Sequence, residues 1–495
     1  MLFNSYGFIF LFLPIVLLGF FQLARVHQAC ATAFLALASI LFYGYWNPVY
    51  VGLLLGSIVC NYGFSLWIAN AGESPKNERK KPILVTAITT NIVLLSYFKY
   101  AGFFISSING ISGASFSNFE IVLPLGISFF TFTQIAFLVD TYKKEVHEHN
   151  FLRYLLFVTY FPHLIAGPLL HHKDMMPQFS RVSTFRVNWE NVATGLILFT
   201  LGLWKKVYWA DSFSPFATGV FDSVSRGIST GSLPTTYEAW SGALAYTMQI
   251  YFDFSGYTDM ALGISLMFNI RLPINFNSPY KATSIIDFWR RWHITLSTFL
   301  RDYLYIPLGG SRTGRWRRYF NLMATMLLGG LWHGAGWTFI IWGALHGIYL
   351  AINHFWKAIV PARLILLVPL WLGAMTGGVL TFTAVVTAWV VFRSNDTARA
   401  LTMLKAMFGI AAQPITFREV SQGKLLLQSG MSGRDLLGLL VPSLLWVWLL
   451  PNSICIRFIA RNSWLTLLQI AGVLIVLYLA INRFGSYSPF LYFQF

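Results

Sequence analysis

The sequence predicts an all-α, polytopic membrane helical bundle, and three observations carry that prediction. Of 495 residues, 56% are hydrophobic and 11% charged, well under the roughly 25% charged residues of soluble domains. Apolar runs of about 20 residues, the length that spans a bilayer as a helix, recur along the chain. The net charge is 35 − 18 = +17, yet the basic residues lie mostly between those runs. There the positive-inside rule and anionic lipid account for them, and no nucleic acid is implied. Lipid offers backbone groups no partner outside a helix or closed barrel, so about 10–14 spanning or re-entrant helices are expected.

In order, the runs are residues 6–24, 29–46, 49–70, 83–106, 119–141, 151–170, 191–210, 239–270, 320–353, 364–392, 434–451 and 463–481. The first follows "MLFNSYG", which has no positive n-region, and leads into Arg25 and His27 with no small-residue cleavage site. It reads as an uncleaved first span with the N-terminus outside. Counting from there, the polar loops "ESPKNERKKP" (73–82) and "TYKKEVHEHN" (141–150) both fall in the cytoplasm, in agreement with their charge. After about residue 170 the alternation fails. "HHKDMMPQFSRVSTFR" (171–186) and Lys205–Lys206 are both basic with one apolar run between them, which calls for a re-entrant or surface-lying helix.

Residues 213–235 read as a Gly/Ser/Pro-rich loop, and 394–433 as a polar stretch holding an amphipathic helix, "DTARALTMLKAMFG". Neither is apolar enough to be a separate domain. Residues 1–495 are therefore expected to form one integral-membrane domain, with a core at about 120–355 and additional helices at about 360–495. Cys30, Cys60 and Cys455 are isolated, without CxxC spacing, and read as small core residues. "GISTG" (227–231) matches G-x-S-x-G but follows no strand, and no Walker A motif, G-x-G-x-x-G motif or internal repeat is present.

The chemistry concentrates between residues 251 and 347. Asp253, Ser255, Thr258 and Asp259 interrupt an apolar run, with Ser255 and Asp259 on one helical face. Carboxylates at that depth need a partner or water. "IIDFWRRWHITLSTFLRDYLY" (285–305) reads as one helix with Arg290 and His293 three apart on a face. It is too charged to cross lipid unaided. It is expected beside a water-filled funnel, where Arg290 and Arg291, flanked by Trp289 and Trp292, bind a phosphate-bearing donor. Arg312, Arg315, Arg317 and Arg318 read rather as a belt on lipid headgroups. In "LLGGLWHGAGW" (327–337), His333 is surrounded by Gly329, Gly330, Gly334 and Gly336, whose missing side chains let another backbone or a long substrate approach. On spacing alone His333 reads equally as a satisfied structural group and as a base; His346 reads as structural. Neutral imidazole accepts a proton near pH 7, which no other uncharged side chain does well. A transporter or flippase using Asp253, Asp259 and the histidines is the rival reading.

"LPLGISFFTFTQIAFLVDTY" (123–142), "FPHLIAGPL" (161–169), "YTDMALGISLMFNIRLPINFNSPY" (257–280), "DFWRRWHITLSTFLRDYLYIPLGG" (287–310), "LLGGLWHGAGWTFIIWGALHG" (327–347) and the closing "SPFLYFQF" resemble the membrane-bound O-acyltransferase family. They most resemble its bacterial alginate and cellulose O-acetyltransferase branch. The resemblance implies a ring of helices around a thinned centre with a cytoplasmic funnel. It places the catalytic histidine at His333 and a second polar position at His293, with Asp259, Ser255, Asn277 and Trp332 as candidates to line the site. It further implies acetyl transfer from a cytoplasmic thioester such as acetyl-CoA, with no bound cofactor and no metal, for O-acetylation of an exopolysaccharide. A periplasmic transferase or esterase-like partner would complete the transfer, and the chain would lie in a bacterial inner membrane. The family's D-alanyl branch, acting on cell-wall polymer, is the alternative within the family.

Overall fold

The computed structural model describes all residues except 72–79, 118–120, 147, 231–232, 313, 362–368, 411–432, 457–462, 485–489 and 492–495. It is 80% helical, with no strand among the described residues. The helices are α1 (Leu13–Val26), α2 (Gln28–Gly44), α3 (Val49–Asn70), α4 (Lys80–Leu95), α5 (Ala101–Ser112), α6 (Ile127–Tyr142), α7 (Phe151–Thr159) and α8 (Trp189–Trp204). They continue as α9 (Asp211–Thr230), α10 (Thr236–Met267), α11 (Ile285–Arg291), α12 (Ile294–Leu300), α13 (Arg315–His333) and α14 (Trp337–Ile359). The last are α15 (Leu370–Arg393), α16 (Thr397–Met407), α17 (Gly433–Leu449) and α18 (Ser463–Ile481). Among the described residues, four continuous helical stretches are long and apolar enough to cross a membrane: Phe8–Val26, Val49–Asn70, Lys80–Ser112 and Leu370–Arg393.

The chain divides into two compact units, one formed by residues 1–203, 257–274 and 456–494, the other by 204–256 and 275–455. In the first, an aromatic cluster of Phe3, Phe8, Phe42 and Phe161 forms much of the interior. Several amides buried inside it are paired, as burial favours. Asn61 of α3 and Asn91 of α4 exchange amide hydrogen bonds of 3.2 and 2.6 Å, and Gln134 of α6 donates to Ser57 at 2.9 Å. Where α8 passes the end of α10, a Cβ on Gly195 would lie 2.5 Å from the Gly263 carbonyl oxygen, and the reverse contact would be 2.4 Å. Only glycine permits that approach.

In the second unit, Lys206 lies between two carboxylates, 2.8 Å from Asp211 and 2.8 Å from Asp253. Asp253 thus has the partner its depth demands. Lys205 donates to Ser453 at 3.0 Å.

Two expectations are corrected. Within the expected loop at 213–235, residues 213–230 are helical, because α9 runs from Asp211 to Thr230. Phe213, Phe216, Ala217, Val220, Phe221 and Val224 recur at 3- and 4-residue spacing and are all buried, so the apolar stripe outweighs the Gly/Ser/Pro composition. After about residue 170, where a re-entrant or surface-lying helix is expected, residues 171–186 form short helical turns, His172–Met175, Met176–Ser180 and Val182–Phe185. The three cysteines are exposed, not core: Cys30 and Cys60 lie on outward faces of the apolar helices α2 and α3, and Cys455 ends the short turn Ser453–Cys455. The amphipathic helix after residue 394 is present as α16, where the Asp396 carboxylate accepts the Arg399 amide at 2.8 Å. The rest of that polar stretch, residues 411–432, lies outside the described residues.

Candidate active site

The helix expected over 285–305 is broken at the histidine. α11 ends at Arg291, α12 begins at Ile294, and His293 between them has φ 43° and ψ 54°, a left-handed conformation rare for a side chain of that size. The break is stabilised from one residue, Asn275. Its carbonyl accepts the Ile294 amide at 2.9 Å, while its side-chain oxygen accepts the Thr295 amide at 3.3 Å, the Thr295 hydroxyl at 2.6 Å and His293 Nδ1 at 3.2 Å. Because the Thr295 main-chain N–H can only donate, the Asn275 amide must present its oxygen there. His293 therefore carries its proton on Nδ1 and has Nε2 as its acceptor nitrogen. The break also separates Arg290 from His293: Arg290 is exposed, whereas His293 is fully buried against Phe254, with ring centroids 4.9 Å apart at 88°.

His333 is the last residue of α13, buried and edge-on to three aromatic rings. Trp332 and Trp342 lie 5.0 Å from its centroid and Phe392 lies 5.4 Å away, at interplanar angles of 74°, 86° and 76°. The neighbouring glycines serve packing. A Cβ on Gly330 would lie 2.3 Å from the Phe339 carbonyl oxygen, and one on Gly343 would lie 2.3 Å from the Met326 carbonyl oxygen. The α13 and α14 backbones thus touch, and this close hairpin sets where His333 emerges. The same arrangement brings His333 and His293 to a centroid separation of 6.4 Å. With hydrogen-bond reach of roughly 3 Å on either side, both imidazoles can address one reacting group.

The family model described as membrane-bound O-acyltransferase matches residues 40–387, which include both histidines. The chain belongs to this family. It is 45% identical over 437 residues to the peptidoglycan O-acetyltransferase of Helicobacter pylori, covering 83% of this chain and 80% of that one. It is 44% identical over 414 residues to the probable alginate O-acetylase AlgI of Pseudomonas aeruginosa, covering 82% and 75%. A more distant match is the teichoic acid D-alanyltransferase of Bacillus subtilis, 27% identical over 246 residues, covering 47% and 59%. The chain is accordingly an integral-membrane acyltransferase.

Within this acyltransferase the other predicted site residues scatter. Trp332 lies beside both histidines, its ring 6.1 Å from His293 and 5.0 Å from His333. Trp289 and Trp292 face inward: the Trp289 indole donates to His346 Nδ1 at 3.2 Å, and Trp292 stacks on Phe288 at 5.7 Å. Arg291 is held by Asp287 at 2.9 Å and by the Asn277 carbonyl at 3.2 Å, so Asn277 meets it through main chain. Ser255 is buried with its hydroxyl unpartnered among the described residues, next to Phe254 in the chain. Asp259 is buried in the part of α10 that belongs to the first unit. No group of three or more metal-ligating side chains occurs among the described residues.

Sequence reading missed Asn275, Trp342 and Phe392. Asn275 stands two residues from the candidate Asn277 in "NFNSPY", and nothing in composition distinguishes them. Lys206 was visible as an unexplained basic residue and Asp253 as an unexplained acid, 47 positions apart. Only the fold joins them.

Proposed function

We propose that this acyltransferase takes acetyl from acetyl-CoA on the cytoplasmic side of a bacterial inner membrane and passes it outward for O-acetylation of a cell-envelope glycan. The observation that carries the reading is the pair of buried imidazoles, His293 and His333, 6.4 Å apart in an aromatic surround. In the proposed step the acceptor hydroxyl oxygen attacks the thioester carbonyl carbon while its proton passes to His333. The carbon–sulfur bond then breaks, and the departing thiolate takes that proton from the His333 imidazolium, leaving as free thiol and restoring the neutral base. His293 orients the donor, with Nε2 accepting a hydrogen bond from a donor N–H or O–H, since its proton is held on Nδ1 by Asn275. A thioester already has a good leaving group, so positioning and one base suffice.

Acetyl is favoured over D-alanyl because the relatives at 44–45% identity are named for acetyl transfer, and the D-alanyltransferase match is 27%. Those names span peptidoglycan and alginate, so the acceptor is assigned as a glycan class. The N-terminus is assigned to the periplasm, the funnel to the cytoplasm, and completion of transfer to a periplasmic transferase or esterase-like partner. The test is His333→Ala in the intact protein. Glycan O-acetylation is expected to fall by about 10²- to 10⁴-fold while the protein inserts and elutes as the parent does. Retained acetylation in a normally inserted variant would overturn the assignment.

A further inference from the structure

A second candidate site lies within the first unit and shares no residue with the histidine pair. The turns at 176–185, the start of α8 and the chain leaving α10 enclose a recess of about 350 Å³ lined by Gln178, Arg181, Ser183, Thr184, Asn188, Asn191, Asn269 and Arg271. Every lining residue is polar, two are cationic and none is acidic. The nearest carboxylates in sequence, Asp174 and Glu190, do not line it.

The walls are braced by their own amides. Asn269, at φ 59°, donates to the Arg186 carbonyl at 2.6 Å, and its side-chain oxygen accepts from Asn191 at 2.8 Å. Gln178 clamps Arg271 through both main-chain groups at 2.9 Å each, and the Asn188 oxygen caps α8 by accepting the Glu190 amide at 3.0 Å. These amides are spent on the frame. The guanidinium groups of Arg181 and Arg271 are exposed and make no ion pair among the described residues.

Exposed apolar residues adjoin the lining residues in sequence. Val182, Val187 and Trp189 are 54%, 41% and 77% exposed. A tryptophan and aliphatic side chains turned outward beside free arginines match the level of a membrane where acyl chains give way to phosphates.

We propose that this recess binds the phosphate headgroup of an anionic phospholipid, with Arg181 and Arg271 on the phosphate oxygens and Val182, Val187 and Trp189 against the acyl region. Guanidinium pairs phosphate through parallel hydrogen bonds, and a preformed frame lets it do so without ordering the loop anew. The site is independent of the acyl-transfer chemistry.

The test uses the full-length protein, delipidated in detergent, with native mass spectrometry of bound dioctanoyl phosphatidylglycerol, dioctanoyl phosphatidylcholine and inorganic phosphate. Phosphatidylglycerol is expected to bind saturably and more tightly than the other two. The Arg181→Gln/Arg271→Gln pair is expected to weaken it about tenfold, and Arg399→Gln, whose guanidinium is paired with Asp396, to leave it unchanged. Both targeted side chains are exposed, so their removal costs the fold little, and each single variant is measured beside the pair. Equal binding of phosphatidylcholine, equal binding of free phosphate, or undiminished phosphatidylglycerol binding in the paired variant would overturn the proposal.

Discussion

The two histidines of this acyltransferase are positioned by different physics. His293 sits at a broken helix whose freed amides converge on one asparagine, so directional hydrogen bonds fix its place and its tautomer. His333 sits at the end of an intact helix, and its place follows from how closely α13 approaches α14 and from the rings edge-on to it. The first arrangement is specified by a few polar atoms and is sensitive to their chemistry. The second is specified by volume and is sensitive to added atoms. That contrast suits the proposed roles: an orienting group needs a fixed proton, while a base needs a fixed position.

The sharpest way to break the comparison is to add volume at the hairpin. Gly330→Val would drive carbon into the Phe339 main chain, 2.3 Å from where the Cβ falls, and a backbone cannot give way as a side chain can. A cost near the upper end of the 1–3 kcal/mol of overpacking is expected, about 3 kcal/mol, with a lower melting temperature and loss of transfer. Gly329→Ala serves as the internal control. Its Cβ would meet only the Leu300 Cδ1 at 3.1 Å, a movable methyl, and should change melting little. Equal effects at 329 and 330 would show that backbone contact does not set this hairpin.

Removing a polar atom should act on the other histidine. Asn275→Ala leaves the buried Thr295 amide and His293 Nδ1 without their acceptor, which costs about 1–3 kcal/mol. The expected cost is about 2 kcal/mol, with reduced transfer. Asn275→Asp keeps an acceptor oxygen at the same position and should recover most of the activity, whereas Asn275→Leu should not. Recovery by leucine would show that Asn275 fills space rather than orienting His293.

How much of this was legible beforehand differs between the same two regions. The all-α membrane fold could be read because apolar runs of spanning length leave few alternatives, and the blocks at 287–310 and 327–347 marked both histidines. The break at His293 could not be read. A 3.6-residue apolar period through "DFWRRWHITLS" is compatible with one helix, and the acceptor that makes two helices stable is 18 residues upstream. The α9 helix was hidden for the opposite reason, since its Gly, Ser and Pro content outweighed a buried stripe that shows only as a pattern. The glycines near His333 were noticed, but sequence alone does not say whether the space they leave is filled by a ligand or by another backbone; here it is filled by α14.

The smallest expected effect concerns the arginines of α11, and it uses the break to sort them. As one helix, Arg290 and Arg291 would serve a donor alike. In the broken arrangement Arg291 is already engaged by Asp287 and by the Asn277 carbonyl, so a donor phosphate would have to share it. Arg290 is exposed at the end of α11. Arg290→Gln is therefore expected to raise KM for the thioester donor about tenfold, the equivalent of about 1.4 kcal/mol and near the low end for a hydrogen bond to a charged group. Arg291→Gln should raise it less and lower stability slightly, because it also releases Asp287 and the 277 segment. Arg317→Gln, whose guanidinium lies over Phe320 at 5.6 Å on α13, should leave KM unchanged. Measured by donor titration in the purified protein, a larger effect at 291 than at 290 would mean that the ion pair with Asp287 opens to admit the donor. Equal mild effects at 290, 291 and 317 would assign all three to the lipid surface and leave donor recognition to the aromatic surround.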